Sequence, residues 1–511
     1  MNLPWENLSD AIFHYAERRP TVPALVDGPK ALSYGEFAAL LGAASRYLRG
    51  LGLAEDDRVG LILDNHADHL ILAFALMRIG ATAVEIPTDL PPSKQDEIIH
   101  RCGIHAVFVE TGLSAGGRVP LRVTVGVHWR REFEGLGGDA RSDKRAEDNR
   151  LVILTSGSSG PPKGTVTTHR QRLSRAPVYS EFLGGRWSPD NPGNAPLKAP
   201  LSNAAFHEFS INQILFGGPL HILPGFDNLH SFARALAAYE DAVCFATANM
   251  CRALLANSAP SGGPLLPGVR ALVSLGLPLA AAEKRALLER VTPNFHEIYG
   301  ASGFGMISGL RPADIPAQAE TVGQAASGAT VEVADAEGRR LPSGAIGHLR
   351  GQSPTVAEGF LLEEDAVRGP EAFRDGWYYP GDLALIDAEG WIHLRGRKTD
   401  VIVRDGVEIY PHEIEAVLMA LSGIKEATVV GVPAKAGPGE EPVAVIVADK
   451  PLRHEFLASY CAVSLPPEKR PLGFLAAPAI KKTPGGKIDR PALRAQVDAL
   501  LEAMQPAEQE S

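Results

Sequence analysis

Residues 154–170 read LTSGSSGPPKGTVTTHR, a run of glycines and hydroxyls with a single lysine, set directly behind the apolar stretch Leu151–Leu154. A strand that opens into such a loop is suited to closing over an anion. Gly157, Gly160 and Gly164 permit positive φ and close backbone approach, the hydroxyls of Thr155, Ser156, Ser158 and Ser159 are donors, and Lys163 adds a point charge. The guest these groups imply is a polyanion. The P-loop pattern is excluded, because its lysine is followed by a hydroxyl and a helix, whereas Lys163 is followed by Gly164. ATP chemistry of another kind is expected.

On the N-terminal side of this loop, helix-period and strand-period segments alternate. Leu8, Ile12, Tyr15 and Ala16 share one helical stripe, and Ser33 with Glu36 makes a capping box for a helix running to about Gly50. Arg58–Leu63 reads as a strand, Asp68–Gly80 as a helix ending in glycine, and Ala83–Pro87 as a strand. This βαβ rhythm predicts a parallel sheet whose ligands sit at the carboxyl ends of the strands. Residues 128–150, rich in charge and without apolar period, read as a solvated connection. Beyond the loop, a second α/β stretch covers about 197–300, with a strand at Leu220–Leu223 and a helix at Leu229–Tyr239. Short strands with glycine turns follow from Val322 to Gly396, and an α+β tail begins after Arg397.

The expected fold class is therefore α/β. A large multi-lobed N-terminal domain spans 1–396, with parallel βαβ lobes over 1–320 and a small β-rich subdomain over about 321–396. A hinge at 397–400 leads to a small α+β C-terminal domain, 401–511. A chain of 511 residues, 45% hydrophobic and 22% charged, can bury several cores. Its net charge of −10 and lack of a basic block argue against a nucleic-acid partner. Cys102, Cys244, Cys251 and Cys461 are scattered and fit a reducing compartment without zinc or disulfides. No apolar run reaches the roughly 20 residues that span a bilayer. The opening MNLPWEN has no signal-peptide character, so the expectation is cytoplasmic.

Four further motifs follow in order: EIYGASG at 297–303, WYYPGDL at 377–383, GRKTDVIVRDGVEIYPHEIE at 396–415 and KKTPGGKIDR at 481–490. Together with the 154–170 loop they resemble the signatures of the adenylate-forming superfamily, and more closely its CoA-ligase branch than the amino-acid adenylation domains. The resemblance covers almost the whole chain. It implies that Thr155, Ser156, Gly157, Ser158, Ser159, Gly160, Lys163 and Gly164 grip the phosphates of ATP. Tyr299 would lie by the adenine, Gly300 and Ala301 would allow close approach, and Ser302 would contact the α-phosphate. Asp382 would accept the ribose hydroxyls, with Arg397 on ribose or phosphate oxygens. Lys398, Thr399 and Asp400 would form the swivel, and Lys487 would bridge carboxylate and α-phosphate. Lys487, Lys163 and Ser302 are the residues assigned the chemistry.

Two positions depart from the pattern. Gly303 stands where a glutamate usually helps hold Mg²⁺, which leaves the metal ligand unassigned. Asn203, in PLSNAAFH at 200–207, stands where an aromatic or histidine guards the acyl pocket. If that segment is helical, His207 shares a face with Asn203 and offers a polar contact to the acid; otherwise it faces solvent. Gly276 and Gly303 are assigned to the same pocket. Glu208 could meet an ammonium group, although a solvated helix face is the commoner place for such a carboxylate. The implied reaction joins a small carboxylic acid to a thiol through an acyl-AMP, with ATP and Mg²⁺. The thiol is coenzyme A, or alternatively the phosphopantetheine arm of an acyl or peptidyl carrier protein. A nucleotide-binding homologue with weak or no turnover is the second alternative.

Overall fold

The computed structural model describes residues 3–115, 119–137, 150–155, 163–223, 229–259, 262–362, 372–434, 439–482 and 488–503. Helix α1 (Asp10–Arg18) buries Ile12 and Tyr15, the face the sequence period selects. Helix α2 (Tyr34–Gly50) starts at the expected capping box, with Ser33 N–H donating to Glu36 and Glu36 N–H to Ser33. Helix α3 (Ala67–Arg78) is buried throughout its length, and α4 (Pro92–Arg101) buries Ile98 and Ile99. Helix α5 (His169–Phe182) is capped by Thr168, and α6 (Ala204–Phe216) by Asn203.

These helices dress a seven-stranded sheet. Its parallel part runs in the order Arg150–Thr155, Thr82–Glu85, Arg58–Ile62, Ala106–Glu110, Leu121–Val125. On its other edge Lys163–Thr168 pairs antiparallel with Arg150–Thr155, and Gly359–Phe360 pairs with Lys163–Thr168. The β-rich region thus returns one strand to the first lobe. A second sheet of five strands sets Val243–Thr247, Ala271–Leu275 and Phe295–Ala301 in parallel, then turns back through Gly305–Leu310. The largest core cluster lies among α1–α3, α5, α6 and these two sheets.

The region from Thr330 to Arg397 forms a six-stranded antiparallel sheet, as glycine-punctuated short strands should. After it come a hairpin of Ile402–Arg404 with Val407–Ile409, and a three-stranded sheet flanked by helices Pro411–Met419, His454–Ser464 and Arg490–Ala503. The expected α/β class with an α+β tail is present. The connection at 128–150 needs correction in its described part. Trp129 and Phe133 are buried and meet edge to face, anchoring a short helical turn against α2 through Tyr47. Among the described residues, no helix is long and apolar enough to cross a membrane.

Candidate functional site

Strand pairing assembles the nucleotide end of the site. Asp382 opens the strand Asp382–Ile386, Arg397 closes the strand Ile392–Arg397, and the two stand opposite one another in the ladder. Cross-strand neighbours with opposite charge attract, and Arg397 Nε lies 2.8 Å from Asp382 Oδ1. Tyr299, from Phe295–Ala301, donates its hydroxyl to Asp382 Oδ2. Burial and the Asp382 charge hold the Tyr299 phenol well above its ordinary range, so it remains a donor. Each carboxylate oxygen has two lone pairs, so a carboxylate can accept from several donors at once. Arg397 Nη1 also donates to the Pro380 carbonyl at 2.8 Å, which keeps the guanidinium over the turn at Gly381.

The phosphate-loop expectation falls partly on described residues. Thr155, the last residue of its strand, pairs with Lys163, the first of the antiparallel strand that follows. Lys163 begins the returning strand, its ammonium 5.2 Å from the centre of the Phe360 ring. Gly164 lies within that strand, against Val152 and Leu361. Ser156, Gly157, Ser158, Ser159 and Gly160 lie outside the described residues, as does Lys487. For Lys487 the flanks are known: Lys482 bridges Ile488, and Asp489 N–H donates to the Lys481 carbonyl at 3.0 Å.

The turn at 302–304 differs in substance from the pattern it resembles. A Cβ on Gly303 would lie 2.4 Å from Tyr378 Cε2, so the tyrosine ring fills the space into which a longer side chain would project. Burial pushes the Tyr378 phenol up to about 12, so it stays protonated. The residues present therefore do not fit a protein-held metal at this point. Among the described residues no three His, Cys, Asp or Glu side chains converge as a metal site. Magnesium that arrives with ATP finds no carboxylate at 303.

At the acyl end the two expected residues part company. Asn203 is exposed and caps α6, its side chain accepting from Ala205 N–H at 3.1 Å. His207 is 3% exposed, which overturns a solvent-facing orientation. Its Nε2 lies 3.8 Å from Glu85 Oε1, and Glu85 Oε2 is 2.8 Å from His69 Nε2. Burial pushes His207 down to about 4, so the imidazole is neutral. His69 is lowered by burial but lifted more strongly by Glu85, and ends above its ordinary value. Gly276 follows the strand Ala271–Leu275 with φ of +89° and open space beside it.

Glu208 is buried as well, not on a solvated face. Its Oε2 accepts from Arg172 Nη1 at 2.6 Å and Arg175 Nη1 at 2.7 Å. Burial raises its carboxyl, and the guanidiniums of Arg175 and Arg172 more than reverse that, leaving it low. Burial, with Arg175 beside it, brings Arg172 down to about 10. The sequence reading did not select Arg172, Arg175, Glu85 or His69. A signal existed for the arginines: His169, Arg172, Ala176 and Tyr179 recur at the three- to four-residue spacing of a core stripe, where charge requires a partner. Lys398–Asp400 form one turn of tight helix, with Lys398 N–H on the Gly381 carbonyl at 3.0 Å and Asp400 paired with Arg490 at 3.0 Å.

Residues 12–361 match the family model described as AMP-binding enzyme, and residues 413–487 the model of the AMP-binding enzyme C-terminal domain. A long-chain-fatty-acid–CoA ligase, FadD13, of Mycobacterium tuberculosis is 27% identical over 503 residues, covering 92% of this chain and 94% of that protein. A 2-succinylbenzoate–CoA ligase of Listeria monocytogenes is 26% identical over 476 residues, covering 93% and 96%. The crystal structure of ATP-bound MatB from Rhodopseudomonas palustris superposes with a TM-score of 0.85 at 24% identity, covering 98% of this chain and 100% of that one.

Proposed function

The chain belongs to the AMP-binding enzyme family, and from that premise we propose that it is an ATP-dependent carboxylic acid–CoA ligase. The observation that carries the reading is the buried Asp382 carboxylate, held between Tyr299 and Arg397, a group of the kind that accepts from both hydroxyls of a ribose. In the first half-reaction an oxygen of the substrate carboxylate bonds to the α-phosphorus of ATP, and the bond to the β-phosphate oxygen breaks, releasing pyrophosphate. Two anions must meet, so the barrier falls where fixed donors and cations face the phosphates. Thr155 and Lys163, paired across two adjacent strands, would serve that task, with Ser302 on the α-phosphate and Lys487 bridging to the carboxylate. Magnesium supplies charge neutralisation on the phosphates, whose oxygens and water would be its ligands here. In the second half-reaction the thiol sulfur of coenzyme A bonds to the acyl carbon and AMP leaves with the anhydride oxygen. The C-terminal unit swings about Lys398–Asp400 between the two steps, withdrawing Lys487.

The names of the curated relatives support CoA as acceptor. A carrier-protein arm is the competing acceptor, and one experiment separates them. The protein is incubated with MgATP, a panel of carboxylic acids, and either CoA or a phosphopantetheinylated carrier, while AMP and thioester are quantified. Acyl-CoA formation that is lost in Lys487→Ala is the expected result. Acylation of the carrier alone would overturn the CoA reading, and no acid-dependent pyrophosphate exchange at all would overturn the enzyme reading.

A further inference from the structure

Arg175 is 1% exposed and carries more contacts to the 302–305 turn than any nucleotide motif accounts for. Its Nη2 donates to the Ser302 carbonyl at 3.1 Å and, with Nε, to the Thr355 carbonyl at 3.0 and 3.1 Å. Its Nη1 donates to Glu208 at 2.7 Å. The side chain passes directly over Gly305, whose φ is +86°; a Cβ there would stand 3.0 Å from Arg175 Nε and 3.1 Å from its Cδ. Glycine at 305 lets the arginine reach the turn.

The Ser302 carbonyl and the Gly303 N–H belong to one peptide unit. Arg175 holds its oxygen, the Tyr378 ring stands against Gly303, and the next carbonyl, of Gly303, accepts from Ala357 N–H at 2.8 Å. A peptide followed by glycine is otherwise the easiest in the chain to rotate, because no Cβ restricts φ. Here it is clamped on both sides. The planar fork of arginine serves two carbonyls and a carboxylate at once, which a lysine cannot do.

Resting on the adenylation reading, we propose that Arg175 is a positioning residue for acyl-AMP formation: by fixing the Ser302–Gly303 peptide it sets how Ser302 meets the α-phosphate. Glu208 sets Arg175 in turn, and the turn needs this brace because glycine stands at 303. Glu208 is thereby committed to two guanidiniums rather than to a substrate ammonium.

The test is acid-dependent pyrophosphate exchange by wild type, Arg175→Lys, Glu208→Gln and the double variant, with kcat and the KM for ATP measured beside thermal unfolding. Each single variant should lower kcat by about 10- to 100-fold, the scale on which small misplacements act, while the KM for ATP changes far less. The double variant should lose less than the product of the singles, since both act on one peptide. Glu208→Gln keeps the shape and removes the charge that holds Arg175, so it reads the placement of the guanidinium even if Arg175→Lys does not fold. Folded variants with wild-type kcat, or a strictly multiplicative double variant, would overturn the proposal alone. Wild type without exchange for any acid would overturn the adenylation reading, and this proposal with it.

Discussion

Replacing Lys284 by methionine should strand a carboxylate two residues from Tyr299 in the same strand. Lys284 and Glu297 are 3% and 4% exposed and form an ion pair, and Lys284 Nζ also donates to the Thr321 carbonyl at 2.9 Å. Burial drives the Glu297 carboxyl up, and Lys284 is the chief group pulling it back. Removing one partner of a buried pair costs about 3–5 kcal/mol. Glu297 escapes part of that by taking a proton, so the loss depends on pH. In the variant its folded pKa stands further above the unfolded value. A group raised in this way stabilises below its unfolded pKa, and that contribution disappears as pH rises through the folded pKa. The deficit of the variant should therefore grow with pH by up to about 1.4 kcal/mol per unit. Urea unfolding followed by circular dichroism at pH 5.5 and 8 measures it, with Lys284→Met/Glu297→Gln as the partner variant. The double variant should recover most of the loss at pH 8, because no charge is left buried. A deficit equal at both pH values, or a double variant no more stable than the single, would refute the reasoning.

Asp382→Asn keeps the shape but removes the charge that Tyr299 and Arg397 address; hydrogen bonds to a charged group contribute about 1.5–3 kcal/mol, so the KM for ATP in pyrophosphate exchange should rise about tenfold to a hundredfold. Gly303→Glu, which restores the carboxylate of related motifs, must displace the Tyr378 ring. It should lose about 1–3 kcal/mol to overpacking without a gain in exchange rate, and show a smaller further loss in a Tyr378→Ala background; equal losses in both backgrounds, from urea midpoints, would show that the ring is not the obstacle. Burial pushes His169 to about 3 and His207 and His296 to about 4. Below pH 6.5 the unfolded chain binds protons these imidazoles refuse, so stability should fall with pH by up to about 1.4 kcal/mol per unit for each. His69, which Glu85 holds up, works in the opposite sense. Urea midpoints between pH 7.5 and 5 should show a net decline, flattened in His169→Gln.

What the sequence made legible was local. The Ser33–Glu36 box, the α1 stripe and the strand before residue 156 depend on neighbours within a turn or a ladder step, and each formed where the pattern placed it. Asp382 and Arg397 were selected separately, by resemblance to motifs; that they meet follows from a ladder register that no single motif encodes. The Glu208 cluster was illegible because its partners lie 36 and 33 residues away on another helix, and a carboxylate in a helix has no sequence mark that tells burial from exposure. Trp129 and Phe133 were lost in a charged run, since two aromatics four residues apart are too few to show a period. Nothing beside Gly303 in the sequence marks what occupies its neighbourhood, because the ring that fills it, Tyr378, arrives from a different sheet.

The contacts around the proposed swivel bracket where rotation can occur. On one side Arg397 is tied to Asp382 and the Pro380 carbonyl, and Lys398 N–H to the Gly381 carbonyl, all within the sheet that carries Asp382. On the other side Asp400 is tied to Arg490, which also binds Glu415 at 2.9 Å and the Val429 carbonyl at 2.6 Å, three residues beyond Lys487. A rotation that kept both sets of bonds would have to fall on Thr399. Its hydroxyl donates to its neighbour Asp400 at 3.2 Å, a contact that travels with the chain. In the proposed rotation the demands on Thr399 are therefore backbone ones, and the ion pairs on either side would carry its φ and ψ change into the C-terminal unit while leaving Asp382 in place.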